Sequence, residues 1–244
     1  MNFRTVAATA LAALLTTQPA ASQEPRAVVE LFTSQGCSSC PPADRLLGEL
    51  ARDPSLVALS LNVDYWDYLG WKDTLGLKGH SNRERAYANA RGDRDVYTPQ
   101  VVVNGVAAVL GSDKAAIDKA IVKTRRDAGA LTLPVTVKID GDKLTASVPE
   151  AKGERKSGEV WLCPVTGKAT VEIARGENRG KTITYHNVVR SWVKLGDWNG
   201  TAQTFSVPLK DIARDDADSF AVLVQSGEAS KPGVVLGAAM IPAR

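Results

Sequence analysis

The 244-residue sequence has only three cysteines and two histidines. Three cysteines cannot build the set of bridges that holds a small disulfide-dense domain together. A four-ligand zinc site would have to gather Cys37, Cys40, Cys163, His80 and His186 from scattered places, with no second C-x-x-C to help, so no metal site is expected. Charge of one sign is also scarce. Lys and Arg total 30 against 27 Asp and Glu, and a net +3 spread along the chain gives no reason to expect nucleic acid as a partner. Beyond the N-terminus no run approaches the roughly 20 uninterrupted apolar residues that a bilayer core of about 30 Å requires, so no membrane span is expected. What remains is ordinary: 44% apolar and 23% charged residues exclude a collagen-like or wholly disordered chain. At about 100 to 150 residues per domain, the length fits one large domain or two small ones.

Residues 1–22 read as a secretory signal peptide. Arg4 supplies a thin basic end, Val6 to Leu15 the apolar stretch, and Ala20 and Ser22 a small-residue cleavage pattern. The expected location is therefore exported, periplasmic or secreted, where disulfides form and persist.

Ala27 to Phe32 predicts a buried strand that empties into Thr33-Ser34-Gln35-Gly36 and then Cys37-Ser38-Ser39-Cys40. Pro41 and Pro42 suit the first turn of a helix, and Leu46, Leu47 and Leu50 give it an apolar stripe. Leu56 to Val63 is nearly all apolar, as expected of a strand covered on both faces and paired parallel to the first. Ser81 and Glu84 resemble a capping box for a helix over 82–91. Asn104-Gly105 between two β-branched runs predicts a hairpin, and Ser112 a cap for a last helix ending near Gly129. After Gly129 the apolar period changes from 3.6 to 2, and Leu131 to Ile139, Lys143 to Val148, Glu159 to Val165, Ala169 to Ala174, Thr182 to Val193, Ala202 to Val207, Phe220 to Gln225 and Val234 to Met240 read as strands. The expected organisation is an α/β unit over 26–129, a central mixed sheet with flanking helices, followed by an all-β, antiparallel, sandwich-like unit over 131–244.

A C-x-x-C between a strand and a helix has a specific chemical use. Cys37, in the exposed loop before the helix, lies where unpaired N–H groups and the helix dipole favour a thiolate, so it is the candidate attacking sulfur. Cys40, one turn on, is the candidate resolving thiol. The same spacing also serves a static disulfide, and two thiolates can hold copper(I); a scaffold protein with a structural bond and a copper-handling protein are therefore the alternatives to an enzyme.

The run from Glu30 to Asp44, with Val63-Asp64-Tyr65-Trp66-Asp67-Tyr68-Leu69-Gly70-Trp71-Lys72-Asp73 and Tyr97-Thr98-Pro99-Gln100-Val101-Val102-Val103-Asn104-Gly105, resembles the secreted thioredoxin-like family known as domain of unknown function 1223 (DUF1223). The likeness continues through Arg175-Gly176-Glu177-Asn178 and Tyr185 to Arg190. It implies a thioredoxin-like domain and thiol-disulfide exchange with protein or small thiol substrates, with a redox partner to reset the pair and no cofactor. It also implies a cis Pro99 packed against the C-x-x-C, with Thr98 presented to an extended substrate. Thioredoxins keep a buried acid six residues before the first cysteine for proton transfer, and that position here is Leu31. Glu30, one step off, is the candidate in its place, although a one-residue slip in a strand reverses the face.

Tyr65, Trp66, Tyr68 and Trp71 follow the second strand and either wall a peptide groove beside Cys37 or form a small core of their own. Arg175 to Gly180 reads as a tight loop between strands, or, with Arg190, as a device pinning the β unit against the active-site face. Cys163 reads as a buried inert thiol, and surface or interface placement accounts for His80 and His186. Asp211 to Asp218 reads as a solvated connection.

Overall fold

The computed structural model describes residues 24–152 and 157–243; the expected signal peptide over 1–22 lies outside them. β1 (Ala27–Thr33) runs into the C-x-x-C loop and α1 (Pro41–Leu50), and β2 (Leu56–Asn62) lies parallel to β1. Both strands are buried along their whole length, because each has neighbours on both edges and cover on both faces. After a 3-10 turn at Asp67–Leu69 come α2 (Lys78–Arg91), the hairpin β3 (Gln100–Val103) and β4 (Ala107–Leu110), and α3 (Lys114–Ala128). The hairpin turn is built as its sequence requires, with Asn104 at φ 51° and Gly105 at φ 77°. Then follow β5 (Thr136–Asp140), β6 (Lys143–Val148), β7 (Gly158–Glu172), β8 (Thr182–Val189), β9 (Val193–Trp198), β10 (Gln203–Pro208), the single turn α4 (Leu209–Ile212), β11 (Ser219–Glu228) and β12 (Lys231–Pro242).

The strand order carries the main departure from the sequence expectation. One sheet runs β12-β11-β7-β8-β2-β1-β3-β4, with β9 also paired to β7. The strands after Gly129 are largely antiparallel, but five of them extend the sheet begun by β1 to β4 rather than closing on themselves. The junction is β8, parallel to β2 at Ser60 and Val188, with the Asn187 side-chain amide donating to the carbonyl of Ala58 at 2.9 Å. Pairing there removes the open edge that β2 would otherwise present. Only β5, β6 and β10 form a second sheet. That small sheet supplies Val137, Leu144, Ala146 and Val148 to a core shared with Val160, Leu162, Phe220, Val222 and Leu236, so a two-layer β region exists whose larger layer belongs to the whole molecule.

Strand alternation sorts the first half onto two faces. Val29 and Leu31 pack with Ala43, Leu47, Ile117 and Ile121 under α1 and α3. Val28 and Phe32 point the other way, into the larger core with Tyr87 of α2. α1 rests close against β8: a Cβ on Gly48 would lie 2.6 Å from the His186 ring.

Two helix starts differ from expectation. α2 begins at Lys78, so Ser81 is inside it, and its hydroxyl donates to Asp64 Oδ1 at 2.5 Å instead of capping. Asp113, not Ser112, caps α3 by accepting from the Ala116 N–H at 2.9 Å. His80 is corrected too. It is fully buried, its Nδ1–H donating to the carbonyl of Asn62 at 2.9 Å.

Burial pushes the His80 pKa down to about 4. The unfolded chain, titrating near the ordinary value, takes up this proton first as the pH falls, so stability is lost between about pH 6.5 and 4. Over that window the chain is expected to lose about 3 kcal/mol more than a His80→Gln variant, measured by urea unfolding at stepped pH.

Candidate functional site

The C-x-x-C is the first turn of α1 and the loop before it. Cys40 is the N-cap, and its carbonyl accepts from the Ala43 and Asp44 N–H groups at 2.9 and 3.1 Å. Pro41 and Pro42 occupy the next two positions, where a missing N–H costs nothing. Cys37 and Cys40 are joined as a disulfide, with Cα atoms 5.4 Å apart. Ser38 and Ser39 are exposed, and the Ser39 hydroxyl donates to Cys37 Sγ at 3.4 Å.

The sulfurs themselves are covered. Cys37 is 1% exposed and Cys40 0%, so the expectation of an exposed Cys37 is corrected. The backbone around them is held by the β7–β8 loop, about 140 residues away in sequence. The Asn178 side-chain amide, fully buried, donates to the carbonyls of Gln35 and Cys37 at 2.9 and 2.8 Å. The Ser38 N–H donates to the Glu177 carboxylate at 3.2 Å. Of the two readings of Arg175 to Gly180, the loop is therefore also a clamp, made by Asn178 and Glu177; Arg190 turns elsewhere, to Asp216 at 2.7 Å. Asp216 thus ties the acidic connection to β8.

The segment after β2 holds the loop from the other side. Asp73 accepts from the Gln35 N–H at 2.8 Å and from the Asn62 amide, and the Trp71 indole N–H donates to Gln35 Oε1 at 2.7 Å. Trp71 packs with Leu75, Ile173, Ile183, Tyr185 and Val188, a small core as the second reading had it. Trp66 lies nearer the site. A Cβ on Gly36 would be 3.0 Å from Trp66 Cβ, and the Trp66 indole N–H donates to Thr98 Oγ1 at 2.8 Å. Tyr65 tilts against Trp66, 6.2 Å between ring centroids; burial pushes the Glu84 carboxyl up to about 7. The Thr98–Pro99 peptide is cis. Pro99, Leu31 and Ala43 converge on Gly111, where an added Cβ would lie 2.8 to 3.2 Å from all three, so Pro99 packs beside the first turn of α1.

Glu30 does not join this group. It sits on the face of β1 opposite Leu31 and α1, fully buried, with Arg83 Nε donating to it at 2.6 Å and the Tyr87 hydroxyl at 2.6 Å. Arg83 also reaches Gln225 at 2.9 Å and lies over the Trp192 ring at 4.1 Å. Glu30 is thereby corrected from a proton carrier to the anionic half of a buried ion pair linking β1, α2 and β11; strand parity is the reason. The acid that does lie on the α1 side is Asp44, buried and held by the Thr33 hydroxyl at 2.7 Å. Cys163 is a buried thiol whose pKa burial pushes up. Among the described residues no three His, Cys, Asp or Glu side chains gather as metal ligands, and no helix is long and apolar enough to cross a membrane.

A family model described as "Protein of unknown function (DUF1223)" matches residues 28–225. The chain belongs to the DUF1223 family. Among solved structures, a structural-genomics target protein from Agrobacterium tumefaciens is 34% identical, with 91% of this chain and 96% of that one covered and a TM-score of 0.81. HBP35 of Porphyromonas gingivalis is similar in fold at 12% identity, covering 89% of this chain and 75% of that one with a TM-score of 0.56. No curated protein matches. The DUF1223 match runs from β1 into β11 and so spans both sides of Gly129.

The buried ion pair makes a stability test. Arg83→Met leaves the Glu30 carboxylate buried without its counter-charge, and a loss of about 3 to 5 kcal/mol is expected, read from the urea midpoint and slope.

Proposed function

We propose that this DUF1223 protein is an exported thiol-disulfide oxidoreductase whose first half is a thioredoxin-like domain, with Cys37 as the sulfur that exchanges with substrate and Cys40 as the resolving thiol. The observation that carries the reading is the placement of the bond at the N-terminus of α1, at the end of a buried parallel strand, with Pro99 beside its first turn. A helix N-terminus stabilises a thiolate on the residues that begin it, which makes the bond easier to open and Cys37 a better leaving group in exchange. Thr98, with its hydroxyl oriented by Trp66, and Tyr65 behind it form the wall along which an extended thiol or disulfide substrate would lie. Export rests on the N-terminal sequence pattern, and it suits a chain that carries a disulfide. A separate redox partner would return the pair to its starting state.

Burial of both sulfurs favours a second reading, a scaffold protein in which the same bond is structural. The two part company over the Asn178 clamp. For an exchanging pair the β7–β8 loop must lift to let a substrate reach Cys37, as lid loops do elsewhere. Asn178→Ala removes two hydrogen bonds worth about 1 kcal/mol each. Reduction of the Cys37–Cys40 bond by a small dithiol is therefore expected to accelerate about tenfold or more, followed by alkylation and mass spectrometry; an unchanged rate would mean that the loop does not control access.

The exchange itself is tested with Cys40→Ala expressed in its native compartment. Mixed disulfides on Cys37 should accumulate and be released by reductant. No adducts, together with a wild-type bond that resists mild reductants, would leave the structural reading standing.

A further inference from the structure

On the face of the sheet away from the sulfurs, α2 and the strands opposite it leave a cavity of about 450 Å³. That volume is in the range of sites that hold a small organic molecule. Gly79, Arg83 and Ala86 recur along one side of α2 at helical spacing and form one wall, flanked by Arg85. Trp161 of β7 and Trp192, just before β9, form another, and the β11–β12 turn contributes Ala229. The two indoles meet edge to face, 6.3 Å between ring centroids and 76° between planes, which sets two aromatic surfaces at a corner. Both rings are only half-buried. A pair of half-open tryptophans beside a cavity is apolar surface that the fold does not itself use up.

The cavity also has a sign. Arg83 lies over the Trp192 ring at 4.1 Å and the Tyr87 ring at 4.8 Å, with 10% of its side chain exposed. Its Nε is committed to Glu30 and its Nη2 to Tyr87 and Gln225, whereas its Nη1 makes no hydrogen bond among the described residues and is not sealed from solvent. A guanidinium fixed in place thus brings a free donor to the cavity it lines. Arg85 is exposed, and it has no ion-pair partner among the described residues. No acid lines the cavity. Glu159, which accepts from the Trp161 indole N–H at 3.2 Å, is matched by Lys194 at 2.7 Å. Glu84, whose charge Arg85 feels, is buried.

We propose that this cavity binds a small organic anion with a flat apolar body, of the class of aromatic carboxylates, its ring against Trp161 and Trp192 and its carboxylate between Arg83 Nη1 and Arg85. Two of these groups are ordered before the ligand arrives, Arg83 by Glu30, Tyr87 and Gln225 and Trp161 by Glu159, so binding has mainly Arg85 and the ligand to immobilise. The ligand adds to the partners of Arg83 and displaces none, since Glu30 sits on Nε. The site uses neither Cys37 nor Cys40 and stands whether or not that pair exchanges. An anion seated there touches α2, β7 and the β11–β12 turn together, so it stabilises the folded chain by mass action.

The test titrates 1-naphthoate, to about 5 mM, into the protein with its Cys37–Cys40 bond intact. The five indole N–H signals are followed by two-dimensional NMR, each assigned by its Trp→Phe variant. Trp161 and Trp192 should shift along one saturable curve while Trp66, Trp71 and Trp198 stay in place, and Tm should rise with ligand. 1-Naphthamide, the same ring without the charge, should bind about tenfold more weakly. Arg85→Gln should weaken naphthoate about threefold, and Trp161→Leu about three- to tenfold. Gly79→Phe removes no binding group. A Cβ there meets nothing within 4 Å, so this variant adds bulk at the cavity wall and should lower affinity about tenfold or more, with Tm unchanged or higher. No saturable shift, or one confined to the other three indoles, would overturn the site. Equal binding of naphthoate and naphthamide would overturn its preference for an anion. Indole shifts that follow protein concentration without ligand would assign the face to a second copy of the chain and overturn the proposal.

Discussion

The pairing of β8 alongside β2 is the contact on which the arrangement of this molecule depends. It extends a sheet begun by a βαβ unit into five further strands, and it fixes where the β7–β8 loop emerges. β7 and β8 pair antiparallel, and the Arg175–Gly180 loop between them meets the C-x-x-C loop. Asn178 can then reach the carbonyls on either side of Gly36. A side chain late in the sequence thus holds the backbone of a motif near its start.

Much of this order was legible in the residues. The strand, C-x-x-C, proline-initiated helix and apolar second strand follow from local chemistry that tertiary contacts do not override, as does the Asn104-Gly105 turn. The later strands were legible as β structure but not in their limits. β7 was read as two strands because Gly167 lies within the run; it is one, since its first half pairs with β9 and β11 and its second with β8. β8 and β9 were read as one strand because Arg190, Ser191 and Trp192 carry no turn signal. Strand order has no signature in periodicity at all, so a pattern change near Gly129 suggested a separate unit where the hydrogen bonds continue one sheet.

The site divides in the same way. Cys37, Cys40, Thr98 and Pro99 were visible because their spacing and context are local. Glu30 lies on the face away from the sulfurs, as period-2 alternation already argued by setting Glu30 and Leu31 on opposite sides. Asp44, four residues after Cys40 in a helix whose start two prolines marked, is the buried acid on the α1 side. Arg83 carried no signal, and Asn178 and Asp73 stood out only within the runs that resemble DUF1223, since each acts on a segment brought to it by pairing distant in sequence. The Glu30–Arg83–Tyr87–Gln225 network has the same origin, tying β1 and α2 to β11 on the face away from the sulfurs.

β7 has a consequence for how the molecule can be divided. At Val165 the strand changes neighbours, meeting Ser219 on one side and Val189 on the other, so one residue joins the strands beside the site to those at the far edge. The first half is therefore not a portable cassette. Cut free at Gly129, it would expose the hydrogen-bonding edge of β2 and the side of α1 that rests on His186, and its C-x-x-C loop would lose the two carbonyl contacts that Asn178 makes. The rigidity of the motif is in that sense inherited from the second half.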